Sequence, residues 1–157
     1  MFAIGRSKYA PGTVASFVTF LIYIFFYNFK INITVLILGV CCIFFYSVYI
    51  VDIYSNSFDE IDAKEIVIDE FVGQSIPILT IYSFIHKGNI ANFILYTLIS
   101  FALFRLFDIT KPYPINKIDK NMKNGFGVML DDVIAGVYSS VILLIILVYT
   151  LWLKKLI

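Results

Sequence analysis

The chain has 157 residues, of which 61% are hydrophobic, 18% aromatic and only 15% charged. Soluble domains average about 45–50% apolar and about 25% charged residues, so one water-soluble core of this length cannot hide so much apolar surface, and the composition predicts an integral membrane protein. A formal net charge of +1 with scattered basic residues excludes a nucleic-acid surface, which needs a clustered basic face.

The opening stretch, "MFAIGRSKYAPGT", carries Arg6 and Lys8 but no small-residue cleavage site, so the run behind it is read as a retained span rather than a signal peptide. A spanning helix needs about 20 mostly apolar residues. Five runs are candidates: residues 13–27, 33–51, 66–85, 91–107 and 133–153. Pro11 and Gly12 make a turn into the first, which predicts an N-cap role for Thr13. Because a helix N-terminus also suits an anion, Thr13 and Ser16 are candidates to line a phosphate site. In the second run, Cys41 and Cys42 are adjacent and lack any metal-ligand spacing; they read as small apolar side chains within the membrane.

The third run opens on Asp69 and Glu70 and contains Pro77, so its first turns are expected at the interface. Within "DAKEIVIDEFVG", Glu65 and Asp69 are four residues apart. On a helix they would share a face, about 6 Å apart, and their repulsion would be relieved by a hard cation such as Mg²⁺. The competing reading is a solvated turn with Lys64 as local counter-ion. "HKGN" joins the third and fourth runs as a tight connection, leaving open whether they span fully or form a shallower hairpin. It holds the sole histidine, His86, so histidine-based phosphatases and a Ser-His-Asp triad are excluded.

The fourth run ends in "FRLFDITKPYPI", where Pro112 predicts a helix end near Thr110. Arg105 and Lys111 then flank Asp108, and an arginine there can hold a phosphate through two parallel hydrogen bonds while lysine acts as a point charge. Snorkelling of basic side chains at a span's end is the simpler alternative. The last motif is "GFGVMLDDVIAG": two glycines suited to a close-approaching turn, then Asp131 and Asp132 at the expected start of the final span. The helix dipole favours one carboxylate there but does not explain two, and ionisable groups at the edge of a membrane segment are functional candidates.

The 11 acidic residues fall into two segments, one from Asp52 through Asp59, Glu60, Asp62, Glu65 and Asp69 to Glu70, the other comprising Asp108, Asp119, Asp131 and Asp132. Two intervening spans return the chain to the same side, so both segments can face one aqueous surface. With five spans and the N-terminus inside, Arg6, Lys8, Lys64, Arg105, Lys111, Lys117, Lys120 and Lys123 lie inside, and Lys30, Lys87, Lys154 and Lys155 outside. Lysine and arginine bias therefore places the acidic segments in the cytoplasm. No internal repeat or linker is visible, so residues 1–157 are expected to form a single domain. The expected fold is an all-α membrane protein, a compact bundle of four to five transmembrane helices with a cytoplasmic-face site.

Carboxylates, an arginine and lysines converging on one face are the inventory for metal-assisted phosphate chemistry. The D-x-x-D-G-x-x-A-R spacing of alcohol phosphotransferases and the D-x-D-x-T/V nucleophile motif are both absent. One alternative is a small cation transporter or channel, which would carry its acids within the spans. Another is a non-enzymatic membrane subunit, which leaves the placement of Arg105 and Lys111 around Asp108 unexplained.

"PGTVASF", "KEIVIDEFVG" and "FRLFDITKPYPI…GFGVMLDDVIAG", in that order and spacing, resemble the phosphatidylglycerophosphatase A family over nearly the whole chain. Ala15 stands where glycine is expected and Tyr113 where tryptophan is common; neither departure touches a carboxylate. The resemblance implies a bacterial inner-membrane, Mg²⁺-dependent phosphatase that converts phosphatidylglycerophosphate, held in the bilayer, to phosphatidylglycerol. By analogy with such hydrolysis, Glu65, Asp69, Asp131 and Asp132 are the expected metal ligands. Glu70 and Asp108 would be further ligands or the base orienting the water. Lys64, Arg105, Lys111 and Thr13 would hold the phosphate.

Overall fold

The computed structural model describes residues 10–54, 67–85, 90–122 and 124–156. Among them the regular structure is entirely helical: α1 (Pro11–Asn28), α2 (Ile33–Tyr54), α3 (Ile68–Phe84), α4 (Ile90–Thr110), α5 (Ile115–Asn121) and α6 (Gly125–Leu156). Four of these, α1, α2, α4 and α6, contain stretches long and apolar enough to cross a membrane. Val35, Leu38, Phe45, Tyr46 and Tyr49 of α2 are all exposed, a large apolar face that suits lipid rather than water. Cys41 and Cys42 are free thiols on that exposed surface.

Helix α3 is the centre of the bundle and packs against α1, α2, α4 and α6. It is 17 residues long, and Asp69, Gly73, Gln74, Pro77, Ile78 and Ile81 are among its buried positions. One end lies at Gly12, where a Cβ would collide with the Glu70 side chain. At the other end the Tyr82 hydroxyl donates to the Ile31 carbonyl at 2.6 Å, and Tyr27 and Tyr82 meet edge to face. Helix α3 therefore runs as deep as α1. Helix α4 returns over the same depth, from Phe93, stacked on Tyr27 with ring centroids 4.0 Å apart, to Arg105, again beside Gly12. Helices α3 and α4 thus both run alongside α1 from one end of the bundle to the other, and of the two α4 is long and apolar enough to cross a membrane.

The expected boundaries hold closely for α4, whose last residue is Thr110, as the Lys111–Pro112 step requires. They fail for α6, which starts at Gly125 rather than near residue 133. Its first turn is capped twice: Asn124 Oδ1 accepts the Gly127 N–H at 2.8 Å, and Asp52 Oδ1, from the end of α2, accepts the Gly125 N–H at 2.6 Å. These bonds satisfy N–H groups that a helix start leaves without intrahelical acceptors. A Cβ on Gly125 would sit 2.9 Å from Asp52 Oδ1, so the expected close approach is real, but it is made by the helix's own first turn.

Helices α3 and α6 touch through backbone. A Cβ on Gly73 would lie 2.6 Å from the Asp132 carbonyl oxygen, and one on Gly136 would overlap the Gly73 carbonyl. Small residues let helices pack this closely where apolar burial gives no advantage over lipid.

Candidate active site

That glycine contact positions the carboxylates. Asp69 precedes Gly73 by four residues on α3, and Asp132 precedes Gly136 by four on α6. Residues four apart share a helix face, and the two helices start at the same end of the bundle. Close approach at the glycines therefore brings Asp69 and Asp132 together one turn above. Asp69, Glu70 and Asp132 each offer an oxygen, and these oxygens all lie within 4.8 Å of one another. Asp69 is 8% exposed and Asp132 4%. Glu70 Oε2 is buried with no hydrogen-bond partner.

The cations around this cluster go elsewhere. Arg105 Nη1 donates to Asp108 Oδ2 within α4. Lys111 Nζ bridges Asp119 Oδ1 of α5 at 2.8 Å and Asp131 Oδ2 of α6 at 2.9 Å. Among the described residues no ion pair reaches Asp69, Glu70 or Asp132. Burial alone would lower the Lys111 pKa, but its bonds to Asp119 and Asp131 outweigh that and raise it, keeping the ammonium charged. Lys111 has φ 39, a left-handed conformation uncommon outside glycine. It ends α4, its N–H bonded to the Phe107 carbonyl at 2.9 Å, and its side chain reaches between α5 and α6.

Other expected residues fall less centrally. Thr13 is half-buried inside the first turn of α1, not its N-cap; that position is Ala10, which makes no side-chain cap. Ser16 is buried, its hydroxyl donating to the Gly12 carbonyl at 2.9 Å. Lys64, Glu65 and His86 lie outside the described residues. Helix α3 begins at Ile68, with Val67 as its N-cap. Asp131 and Asp132 are not at a helix start: they occupy the second turn of α6, beyond the reach of the terminal dipole.

Three contributors were not singled out from sequence. Asp119 fixes Lys111, Asp52 caps α6, and Gly12 makes room for the Glu70 and Arg105 side chains. The spacing D-x-x-x-G, present at both Asp69–Gly73 and Asp132–Gly136, was the signal in the sequence that pairs α3 with α6.

Fold and site together define a helical membrane protein with a buried carboxylate cluster, an arginine and a lysine at one end of its bundle. The sequence profile of the phosphatidylglycerophosphatase A family matches residues 1–147. An Escherichia coli phosphatidylglycerophosphatase A is 31% identical over 90% of this chain and 77% of its own length. The Haemophilus influenzae phosphatidylglycerophosphatase A is 43% identical over 52% of this chain and 45% of its own. A Bacteroides thetaiotaomicron protein with the provisional name phosphatidylinositol-3-phosphatase is 34% identical over 90% of this chain and 86% of its own length. No solved structure matches. The chain belongs to the phosphatidylglycerophosphatase A family.

Proposed function

We propose that this protein is a Mg²⁺-dependent phosphatidylglycerophosphatase of the bacterial inner membrane, acting at the cytoplasmic surface. Family membership supports the reaction; the observation that carries the site is the convergence of Asp69, Glu70 and Asp132 from α3 and α6. Three close carboxylates, two of them buried, repel one another at a cost that a bound cation removes. The unpartnered Glu70 Oε2 and an oxygen-only donor set fit Mg²⁺ or Mn²⁺ better than Zn²⁺.

Asp69, Glu70 and Asp132 would hold the ion, which when bound neutralises charge and polarises the phosphomonoester and its attacking water. Arg105, oriented by Asp108, binds the non-bridging phosphate oxygens as they gain charge. Lys111 adds positive charge and holds Asp131 beside the cluster. The acyl chains stay in the bilayer while the headgroup enters the polar end of the bundle. Water adds to phosphorus, the bond from phosphorus to the glycerol oxygen breaks, and phosphatidylglycerol and inorganic phosphate leave.

The Bacteroides relative's name makes headgroup choice a point to test. Purified protein is given phosphatidylglycerophosphate or phosphatidylinositol 3-phosphate, with Mg²⁺ or with excess chelator, and phosphate release is measured. The expected result is Mg²⁺-dependent release with phosphatidylglycerophosphate preferred. Preference for the inositol lipid overturns the substrate assignment, and full activity in chelator overturns the metal.

A further inference from the structure

Helix α5 joins the ends of two apolar helices, α4 and α6, on the side where the carboxylates gather. In a bilayer it therefore lies at the lipid–water boundary. Ile115, fully buried, packs it against Phe104 and Ala135, and Tyr138 of α6 donates to the Tyr113 carbonyl at 3.1 Å. The acidic residue of α5, Asp119, is drawn inward by Lys111. What remains outside is one-signed: Lys117 and Lys120 are exposed, with the neutral Asn116 and Asn121. Lys117 and Lys120 are three residues apart and share a helical face. Tyr113, 73% exposed, and Ile109, 70% exposed, supply the aromatic and apolar edge typical of a membrane interface.

We propose that the outward face of α5 is a docking surface for anionic phospholipid headgroups, concentrating lipid beside the carboxylate site. Charge complementarity selects this occupant: basic residues near a membrane surface attract anionic lipid, and the attraction fades within a Debye length. Its use in delivering substrate rests on the lipid-phosphatase reading, whereas its lipid preference does not.

The test uses full-length protein with Trp152→Phe and Tyr113→Trp, so that one tryptophan reports on this surface. The protein is reconstituted in vesicles carrying equal fractions of brominated phosphatidylglycerol or brominated phosphatidylcholine. Quenching should be stronger with the anionic lipid, and Lys117→Gln/Lys120→Gln or high salt should abolish the difference. In phosphate release from mixed vesicles, the double substitution should raise KM about thirtyfold and leave kcat unchanged. Equal quenching by the two lipids in the parent protein, or a preference that survives the double substitution, overturns the proposal. Absence of hydrolysis in parent and variant alike would instead count against the phosphatase reading, with quenching still deciding the docking surface.

Discussion

Asp131 Oδ2 meets the Lys111 ammonium at 2.9 Å, whereas its neighbour Asp132 faces Asp69 and Glu70. Successive helical residues point about 100° apart, so one acid turns toward the α4–α5 connection and the other toward α3. The sequence pattern supplied both as candidates but not this division of labour, because Lys111 and Asp131 are 20 residues apart and Asp119 had no visible role. Lys111→Met should cost about 1.5–3 kcal/mol, the range for a hydrogen bond to a charged group, and should lower activity by disturbing Asp131. Thermal unfolding of Lys111→Met, Asp131→Asn and the double variant measures the coupling. Additive losses would show that the pair does not act as a unit.

At the level of helices, the crossing of α3 over α6 sets the site. Gly73→Ala forces a Cβ against the Asp132 carbonyl and Phe104 and should separate the two helices, lowering both melting temperature and turnover. Gly39→Ala on α2, with nothing within 4 Å of the added Cβ, should leave both near the parent value; equal effects at the two positions would contradict the crossing's role. Span positions were readable because hydropathy over some twenty residues is a strong signal. The start of α6 was not: Asp131 and Asp132 look like a polar border, yet the helix continues two turns further, to the Asn124 and Asp52 caps. Asp52 lies 73 residues from Gly125, a contact no local pattern reveals. Helix α5 is not legible in the sequence because seven residues, mostly polar, between a proline turn and a glycine-containing stretch carry no clear apolar period.

For the whole molecule, every acidic residue among the described ones lies at one end: Asp52 at the start of α6, Asp69, Glu70 and Asp132 in the cluster, and Asp108, Asp119 and Asp131 in ion pairs beside it. The tyrosines bonded to the Ile31 and Ile85 carbonyls mark the other end. Cysteines introduced at Lys120 and Lys30, with Cys41 and Cys42 replaced, should label from opposite sides of the membrane, Lys120 from the cytoplasm; labelling of both from one side would contradict the bundle's topology. That the acids share an end was legible from span counting, whereas which of them touch required the helix crossing. The central claim is that Asp69, Glu70 and Asp132 form the metal-dependent centre. It is tested most directly by Mg²⁺-dependent phosphate release from phosphatidylglycerophosphate by Asp132→Asn, with its melting temperature recorded on the same sample. Loss of a carboxylate charge removes metal affinity while easing repulsion, so turnover should fall by orders of magnitude with the melting temperature unchanged or higher. Near-parent turnover with an unchanged Mg²⁺ requirement would contradict it.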